Sequence, residues 1–338
     1  MGEPTISAGM ATAHRSDAFR LDAFEPAYLS LLRNGGLAER AEAARRALEA
    51  CRLCPRGCEA RRSQGHTGTC GIGLDAVVSS AFPHLGEEDC LRGRRGSGTV
   101  FFAGCGLRCA FCQNADVSWH RSGEELDAED LAAVFLGLQE RGCHNLNLVT
   151  PSHVVPQVLE AVALAAARGL RLPIVYNSSG YDAVETLRLL DGVVDVYMPD
   201  FKFWRNETAE RYARAPDYPE RARAAVTEMH RQSGALRFGA DGLARRGVLV
   251  RHLVMPGLTG ESAAILEWLA REVSRDTYVN VMGQYRPEWR VGEPDEAGRT
   301  LFAEIARRPR EWEMEAVRES FRRAGLWRLD GRRPGGTP

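Results

Sequence analysis

The stretch Thr99-Val100-Phe101-Phe102-Ala103-Gly104-Cys105-Gly106-Leu107-Arg108-Cys109-Ala110-Phe111-Cys112-Gln113-Asn114 decides how this chain is to be read. It opens on a short apolar run of buried-strand character. Three thiols follow, spaced C-x3-C-x2-C. A strand running into such a loop projects the sulfurs of Cys105, Cys109 and Cys112 toward one point. Three thiolates leave one iron of a cubane iron–sulfur cluster without a protein ligand, whereas a closed structural site normally uses four. An iron with an open position can bind and activate a small molecule. Phe111, just ahead of the third thiol, gives that side an apolar wall. The competing reading of the same residues is a zinc site or reduced core thiols.

A second cysteine group lies upstream. Cys51, Cys54, Cys58 and Cys70 are spaced C-x2-C-x3-C-x11-C, with a Cys54-Pro55-Arg56 run inside. Four thiols fit a closed tetrahedral site, either Zn²⁺ or an auxiliary iron–sulfur cluster. The segment is loop-rich and has little core of its own, so a metal would supply much of its folding energy. Cys90 and Cys143 fall outside both groups and read as buried thiols.

From Thr99 onward the pattern is strand, loop, helix, repeated. Apolar runs at 99–103, 146–149, 173–176, 193–198, 248–254 and 278–282 read as buried parallel strands. Helical patterns separate them at 129–141, 156–168, 183–190, 207–233 (in two pieces) and 263–273. Asp127 and Asp182 are placed as helix N-caps. This alternation demands a parallel sheet with right-handed crossovers. Six units are too few for an eight-stranded barrel, so the expected fold is α/β, an open, partial (β/α)6 barrel. Residues 77–82 read as a further short strand, 25–48 as a helix broken at Asn34-Gly35-Gly36, and 312–326 as a closing amphipathic helix. The expected divisions are an N-terminal helical segment (1–50), a four-cysteine segment (51–95), the barrel (96–290) and a C-terminal extension (291–338).

Composition narrows the classes. With 44% hydrophobic and 26% charged residues over 338 positions, the chain reads as an ordinary globular protein. A net charge of −1 offers nothing to nucleic acid or an anionic membrane. Residues 1–20 lack the apolar core of a secretion signal, and no apolar run is long enough to span a bilayer. Nine cysteines without an export signal argue for reduced thiols and metal ligation rather than disulfides, and for a cytoplasmic location. The start of the chain and residues 332–338 are expected to be poorly ordered.

In parallel βα architectures, functional residues collect at the C-terminal ends of strands. Just past the apolar runs stand Thr150-Pro151-Ser152-His153, Asn177-Ser178, Asp200-Phe201-Lys202, and Arg251-His252. Asp200 and Lys202 point to one side by period-two alternation and would grip a ligand carboxylate and ribose, or form an ordinary salt bridge. Arg251 offers a planar fork to a carboxylate, or pairs with Asp200. His252 should face the opposite way and be structural, while His153 is either a satisfied loop histidine or a substrate contact. His84, Glu87 and Glu88 read as loop residues in solvated or hydrogen-bonded roles.

Cys105, Cys109, Cys112 and Phe111 together resemble the signature of the radical S-adenosylmethionine (radical SAM) superfamily. Over most of residues 51–290 the chain resembles pyruvate formate-lyase activating enzyme and its homologues among the glycyl-radical-enzyme activases. The resemblance rests further on Asp200-Phe201-Lys202 after a strand ending at Met198, and on Val250-Arg251 leading to Pro256-Gly257. It implies that Cys105, Cys109 and Cys112 hold a [4Fe–4S] cluster whose fourth iron takes S-adenosylmethionine. Reduction by a partner such as flavodoxin or ferredoxin would then yield a 5′-deoxyadenosyl radical that abstracts hydrogen from a protein or peptide. Lys202 and Arg251 would contact the cofactor. Asn177, Ser178, Met198 and Asp200 fall where the activases bind a monovalent cation, with Asn177 in place of their Asp. Thr150-Pro151-Ser152 replaces the Gly-Gly-Glu-like turn that cradles the cofactor amino group, leaving that task to backbone carbonyls and the Thr150 or Ser152 hydroxyls. The four-cysteine segment is absent from the short activases. Two other readings stand beside this one: a radical SAM enzyme acting on a small molecule or natural-product precursor, and a non-catalytic zinc and iron–sulfur protein.

Overall fold

The computed structural model describes residues 17–331, so the expected disorder at 1–16 and 332–338 lies outside the described residues. Two short helices come first, α1 (Tyr28–Arg33) and α2 (Gly36–Arg46), parted where Gly35 takes a φ of +80°. Both are moored to the βα units. The Tyr28 hydroxyl donates to the Leu172 carbonyl at 3.0 Å, and Arg45 pairs with Glu160 at 2.8 Å. Between Cys51 and Cys70 the one regular element among the described residues is a 3-10 turn at Arg62–Gln64; the rest of the expected 51–95 segment already contains a strand and a short helix.

One mixed sheet makes the rest. β1 (Ala76–His84), the short helix α3 (Asp89–Arg92), β2 (Ser97–Phe102), α4 (Ala115–Ser118) and β3 (Glu124–Leu126) form its first edge. There β1 pairs antiparallel with both β2 and β3. Helix and strand then alternate: α5 (Ala128–Glu140), β4 (Leu146–Val149), α6 (Val155–Ala167), β5 (Ile174–Ser178), α7 (Val184–Leu189) and β6 (Val196–Pro199). They are followed by α8 (Asn206–Ala213), α9 (Tyr218–Ser233), β7 (Arg237–Phe238), β8 (Ala244–Leu253), α10 (Thr259–Trp268), β9 (Tyr278–Met282), α11 (Glu311–Arg323) and β10 (Arg328–Leu329). Neighbours from β2 through β4, β5, β6 and β8 to β9 are all parallel. The sheet order β10-β9-β8-β6-β5-β4-β2-β1-β3 has two free ends and does not close.

The central strands are buried on both faces, as helix-covered parallel strands must be; every residue of β5 and β6 is buried. Period two then separates two surfaces. Ile174, Tyr176, Tyr197, Val248 and Val250 face the helices in the main core. Val175, Val196, Met198 and Leu249 face the other way and pack with Leu91 and Leu236 in a small inner core. Counting on by two from these inner residues reaches Asn177, Asp200 and Arg251. The chain therefore delivers those side chains onto one inner surface, at the strand ends.

Of the two expected caps, Asp127 takes its place, accepting from Glu129 N and Asp130 N at 2.9 Å each. Asp182 does not cap α7. Its carboxylate turns inward and accepts from Ser152, Tyr176 and Ser178. Among the described residues, no helix is long and apolar enough to cross a membrane.

Candidate active site

The loop after β2 is folded by a glycine and by its neighbours. Gly104 has φ +78°, and a Cβ there would stand 2.7 Å from the Cys70 carbonyl oxygen, so only glycine fits. Ala110 N donates to Tyr212 O at 2.8 Å and Arg290 N to Ala110 O at 3.0 Å, clamping the loop between α8 and the chain after β9. Phe111 is buried and packs edge-on against Phe203 at 6.0 Å and, at a tilt, against Tyr285 at 5.9 Å. The loop's apolar wall is thus a fixed part of the core.

Cys105, Cys109 and Cys112 line a cavity of about 370 Å³ at the strand ends, together with Asn177, Asp200 and Lys202. Burial pushes the Cys105 and Cys109 thiols up to about 12; the neighbouring cysteines add to this, and Lys202 opposes it at Cys109. Such thiols stay protonated until a metal displaces the proton. Among the described residues, no three His, Cys, Asp or Glu side chains converge tightly enough to hold a single metal ion.

Facing them is a charged network. Asp200 forms an isolated parallel bridge with Arg251 of β8. Its carboxylate accepts from Lys202 Nζ at 2.5 Å and from Arg251 Nε at 2.9 Å, and Arg251 Nη2 donates to Asn177 Oδ1 at 2.7 Å. Burial would raise the Asp200 carboxyl, but the Arg251 and Lys202 charges outweigh it and hold the group below the ordinary carboxylate value. Burial alone would lower Lys202; Asp200 and then Cys109 reverse that and hold its ammonium above the ordinary lysine value. Two cations thus share one carboxylate, and Lys202 keeps further N–H donors beside the thiols. The Tyr218 hydroxyl accepts from Lys202 N at 2.9 Å and lies 2.9 Å from both the Ser179 and Asp200 carbonyls, fixing the backbone of this corner.

The remaining expected residues divide. Thr150 lines the cavity and holds a φ of +58°, a conformation a β-branched residue rarely takes, anchored by Thr150 N donating to Asn177 O at 2.9 Å. Ser178 lines the cavity, but its hydroxyl donates to Asp182 at 2.6 Å. Ser152 is buried with its hydroxyl on Asp182 at 2.5 Å, behind the cavity rather than on its wall. Met198 belongs to the inner core. His153 is buried, its Nε2 2.8 Å from Ala103 O, and burial pushes it down to about 4. His252 bridges Phe201 O and the Ser262 hydroxyl. Both histidines are structural.

Two lining residues were not legible as site residues. His84 and Glu87 belong to the end of β1 and the loop after it, yet both line the cavity, with Glu87 Oε2 4.0 Å from Arg251 Nη1. Next to them, Glu88 accepts from Asn280 Nδ2 at 2.8 Å, so this loop reaches from β1 across to β8 and β9.

The four-cysteine segment sits directly behind the loop. Arg56 Nε donates to Gly106 O at 2.7 Å and its Nη1 to Arg214 O at 2.6 Å, while Arg108 donates to Thr69 O. Burial pushes the Cys54 thiol up to about 12 and also raises Cys70; the other thiols that act on each are those of their own group. The seven cysteines therefore form two sets, and among the described residues no fourth thiol joins Cys105, Cys109 and Cys112 on the cavity wall.

Comparison with known proteins places these features. A family model described as Radical SAM superfamily matches residues 99–269. A protein of Methanocaldococcus jannaschii, described as uncharacterized protein MJ0674, is 31% identical over 273 residues, covering 78% of this chain and 74% of that protein. Among solved structures, the radical S-adenosylmethionine methyltransferase TsrM from Kitasatospora setae, with cobalamin and a [4Fe–4S] cluster bound, matches at 15% identity and a TM-score of 0.41. That match covers 55% of this chain and 36% of the methyltransferase, so the chain spans about a third of its length. A mutant of spore photoproduct lyase matches at 14% identity and a TM-score of 0.39, over 66% of this chain and 71% of that one.

Proposed function

The chain belongs to the radical SAM superfamily, whose enzymes work with a [4Fe–4S] cluster and S-adenosylmethionine, and from that premise we propose that it abstracts hydrogen from a protein or peptide, in the manner of the glycyl-radical-enzyme activases. When bound and reduced by one electron, cluster and cofactor together supply the 5′-deoxyadenosyl radical that takes the hydrogen. Everything else is the work of the chain's own residues. Cys105, Cys109 and Cys112 would hold three irons and leave the fourth to the cofactor. Lys202 and Arg251 would bind the cofactor carboxylate, with Asp200 holding both in place and offering an acceptor to a ribose hydroxyl. The Thr150 turn and Asn177 would face the cofactor amino group, and Phe111 would keep water from that side.

One observation carries this reading: three thiols and the Asp200–Lys202–Arg251 network face each other across a single cavity of cofactor size. The preference for a peptide substrate rests on the activase-like run Asp200-Phe201-Lys202. Next to the cavity, exposed Phe82 stacks on the lining residue Phe101 at 5.8 Å, and exposed Leu85 follows it, together forming an apolar lip for a chain to cover.

The test is anaerobic reconstitution with iron, sulfide, S-adenosylmethionine and dithionite, followed by assay of 5′-deoxyadenosine. The wild-type protein should form it and Cys109→Ala should not. Fully iron-loaded wild-type protein that forms none would refute the proposal. A radical signal on a partner polypeptide supports the peptide substrate, and turnover of a small molecule alone contradicts it.

A further inference from the structure

We propose that Cys51, Cys54, Cys58 and Cys70 hold a redox-active iron–sulfur cluster, with buried Arg62 as its charge partner, that passes single electrons to the cluster of the Cys105–Cys112 loop. The proposal rests on the reading of that loop given above and deepens it.

The four thiols share one place. Cys51 N donates to Ala60 O at 3.1 Å and Glu59 N to Cys51 O at 2.9 Å, which closes the turn carrying Cys54 and Cys58. Cys51 and Cys70 are each 6% exposed, and Cys58 is the exposed member. Four thiolates suit either a tetrahedral zinc ion or an iron–sulfur cluster. The place of this group, directly against the Cys105–Cys112 loop, is what favours the redox-active one.

Arg62 supplies an independent sign that an anionic group is held here. It is fully buried, with Nε on Gly73 O at 2.7 Å and Nη1 on His153 O at 2.6 Å. Nη1 also lies 3.9 Å from Cys51 Sγ, while Nη2 has no partner. Its polar contacts are thus carbonyls and a thiol, none of them an anion. A guanidinium buried without a counter-charge is costly, and neutral thiols do not balance it. Four thiolates around a cluster carry net negative charge, and both the unpartnered N–H and the cation would stabilise it. They would favour the reduced, more negative form most, which raises the reduction potential.

Position supplies the function. Cys54 Sγ stands 3.2 Å from where a Cβ on Gly106 would lie, and the Cys70 carbonyl backs onto Gly104. The two thiol groups thus share a wall, one facing the cavity and the other reaching solvent at Cys58. A donor protein of the flavodoxin or ferredoxin class reduces the outer cluster by one electron. That cluster gives the electron to the inner one and returns to its oxidised state, with no bond or proton changing hands.

The first test uses the full chain with Cys105→Ala, Cys109→Ala and Cys112→Ala combined, reconstituted anaerobically. We expect about four irons per chain and an electron paramagnetic resonance signal on reduction. One zinc without paramagnetic iron would overturn the cluster. In that background, Arg62→Met should move the midpoint potential to more negative values and Arg62→Lys should restore part of the shift; a potential indifferent to both would remove Arg62 from the account. In wild-type protein freeze-quenched after mixing with reduced flavodoxin and S-adenosylmethionine, the outer signal should rise first and decay as 5′-deoxyadenosine accumulates. An outer signal constant throughout would overturn the relay. None of these failures would prevent dithionite-driven 5′-deoxyadenosine formation by the wild type, which reads the proposed function separately.

Discussion

At the scale of single residues, Asp200 decides the most. Its carboxylate pairs with Lys202 at 2.5 Å and Arg251 at 2.9 Å, both partly shielded from solvent. Removing one member of a buried ion cluster costs about 3–5 kcal/mol, because the partners are left uncompensated. Asp200→Asn should therefore lower unfolding stability by about 3 kcal/mol at neutral pH, measured by urea titration. A carboxyl held below its ordinary value stabilises the fold above its unfolded pKa, about 3.9, and loses that contribution as pH falls through the folded value. The gap between wild type and Asp200→Asn should accordingly narrow in acid below about pH 4. A gap that widened would contradict the assignment of charges. Lys202→Met should raise KM for S-adenosylmethionine by about tenfold or more, roughly the 1.5–3 kcal/mol of a charged hydrogen bond. The trio Asp200, Lys202 and Arg251 was legible because strand ends and period-two alternation locate it. Glu87 was not: it belongs to a loop before β2, and only the curl of the sheet brings it to Arg251.

At the scale of elements, the strand-to-loop joint after β2 holds both thiol groups in place. Gly104→Ala adds a Cβ at a φ of +78° against the Ile72 side chain and against the Cys70 carbonyl oxygen, and the latter is backbone that cannot turn aside. We expect a loss of about 1–3 kcal/mol and reduced iron occupancy in both groups, read by metal analysis of folded protein. Thr150 is the converse case. Thr150→Gly relieves a left-handed β-branched residue at a cost in unfolded-state freedom, and should change stability by less than about 1 kcal/mol, in the stabilising direction. The helices and parallel strands were readable to within a residue or two for most elements, because apolar period and covered strands are strong signals. Asp182 was misread as a cap because sequence spacing cannot reveal three hydroxyls. Ser152, Tyr176 and Ser178 outcompete the helix end for it, and this also draws Ser152 away from the cavity.

At the scale of the whole molecule, one apolar core runs from Tyr28 and Leu37 through Cys70 and Ile72 to Phe111, Val250 and Phe321. The four-cysteine segment is thus built into the core that carries the cavity, so loss of a metal from it should not leave the rest untouched. We expect apo protein to melt in a single transition that rises on anaerobic reconstitution, because ligand binding to the folded state alone stabilises it. The sequence foretold the parallel strands but not this continuity, which depends on contacts between distant segments such as Arg56 with Gly106 and Tyr28 with Leu172. The central claim concerns the iron that Cys105, Cys109 and Cys112 leave open. It is tested most directly by electron–nuclear double resonance on the reduced, reconstituted protein with S-adenosylmethionine isotopically labelled at its amino nitrogen. A coupling between that nitrogen and the cluster spin is the predicted result. Fully loaded, reduced protein with the cofactor bound and no such coupling would contradict the account.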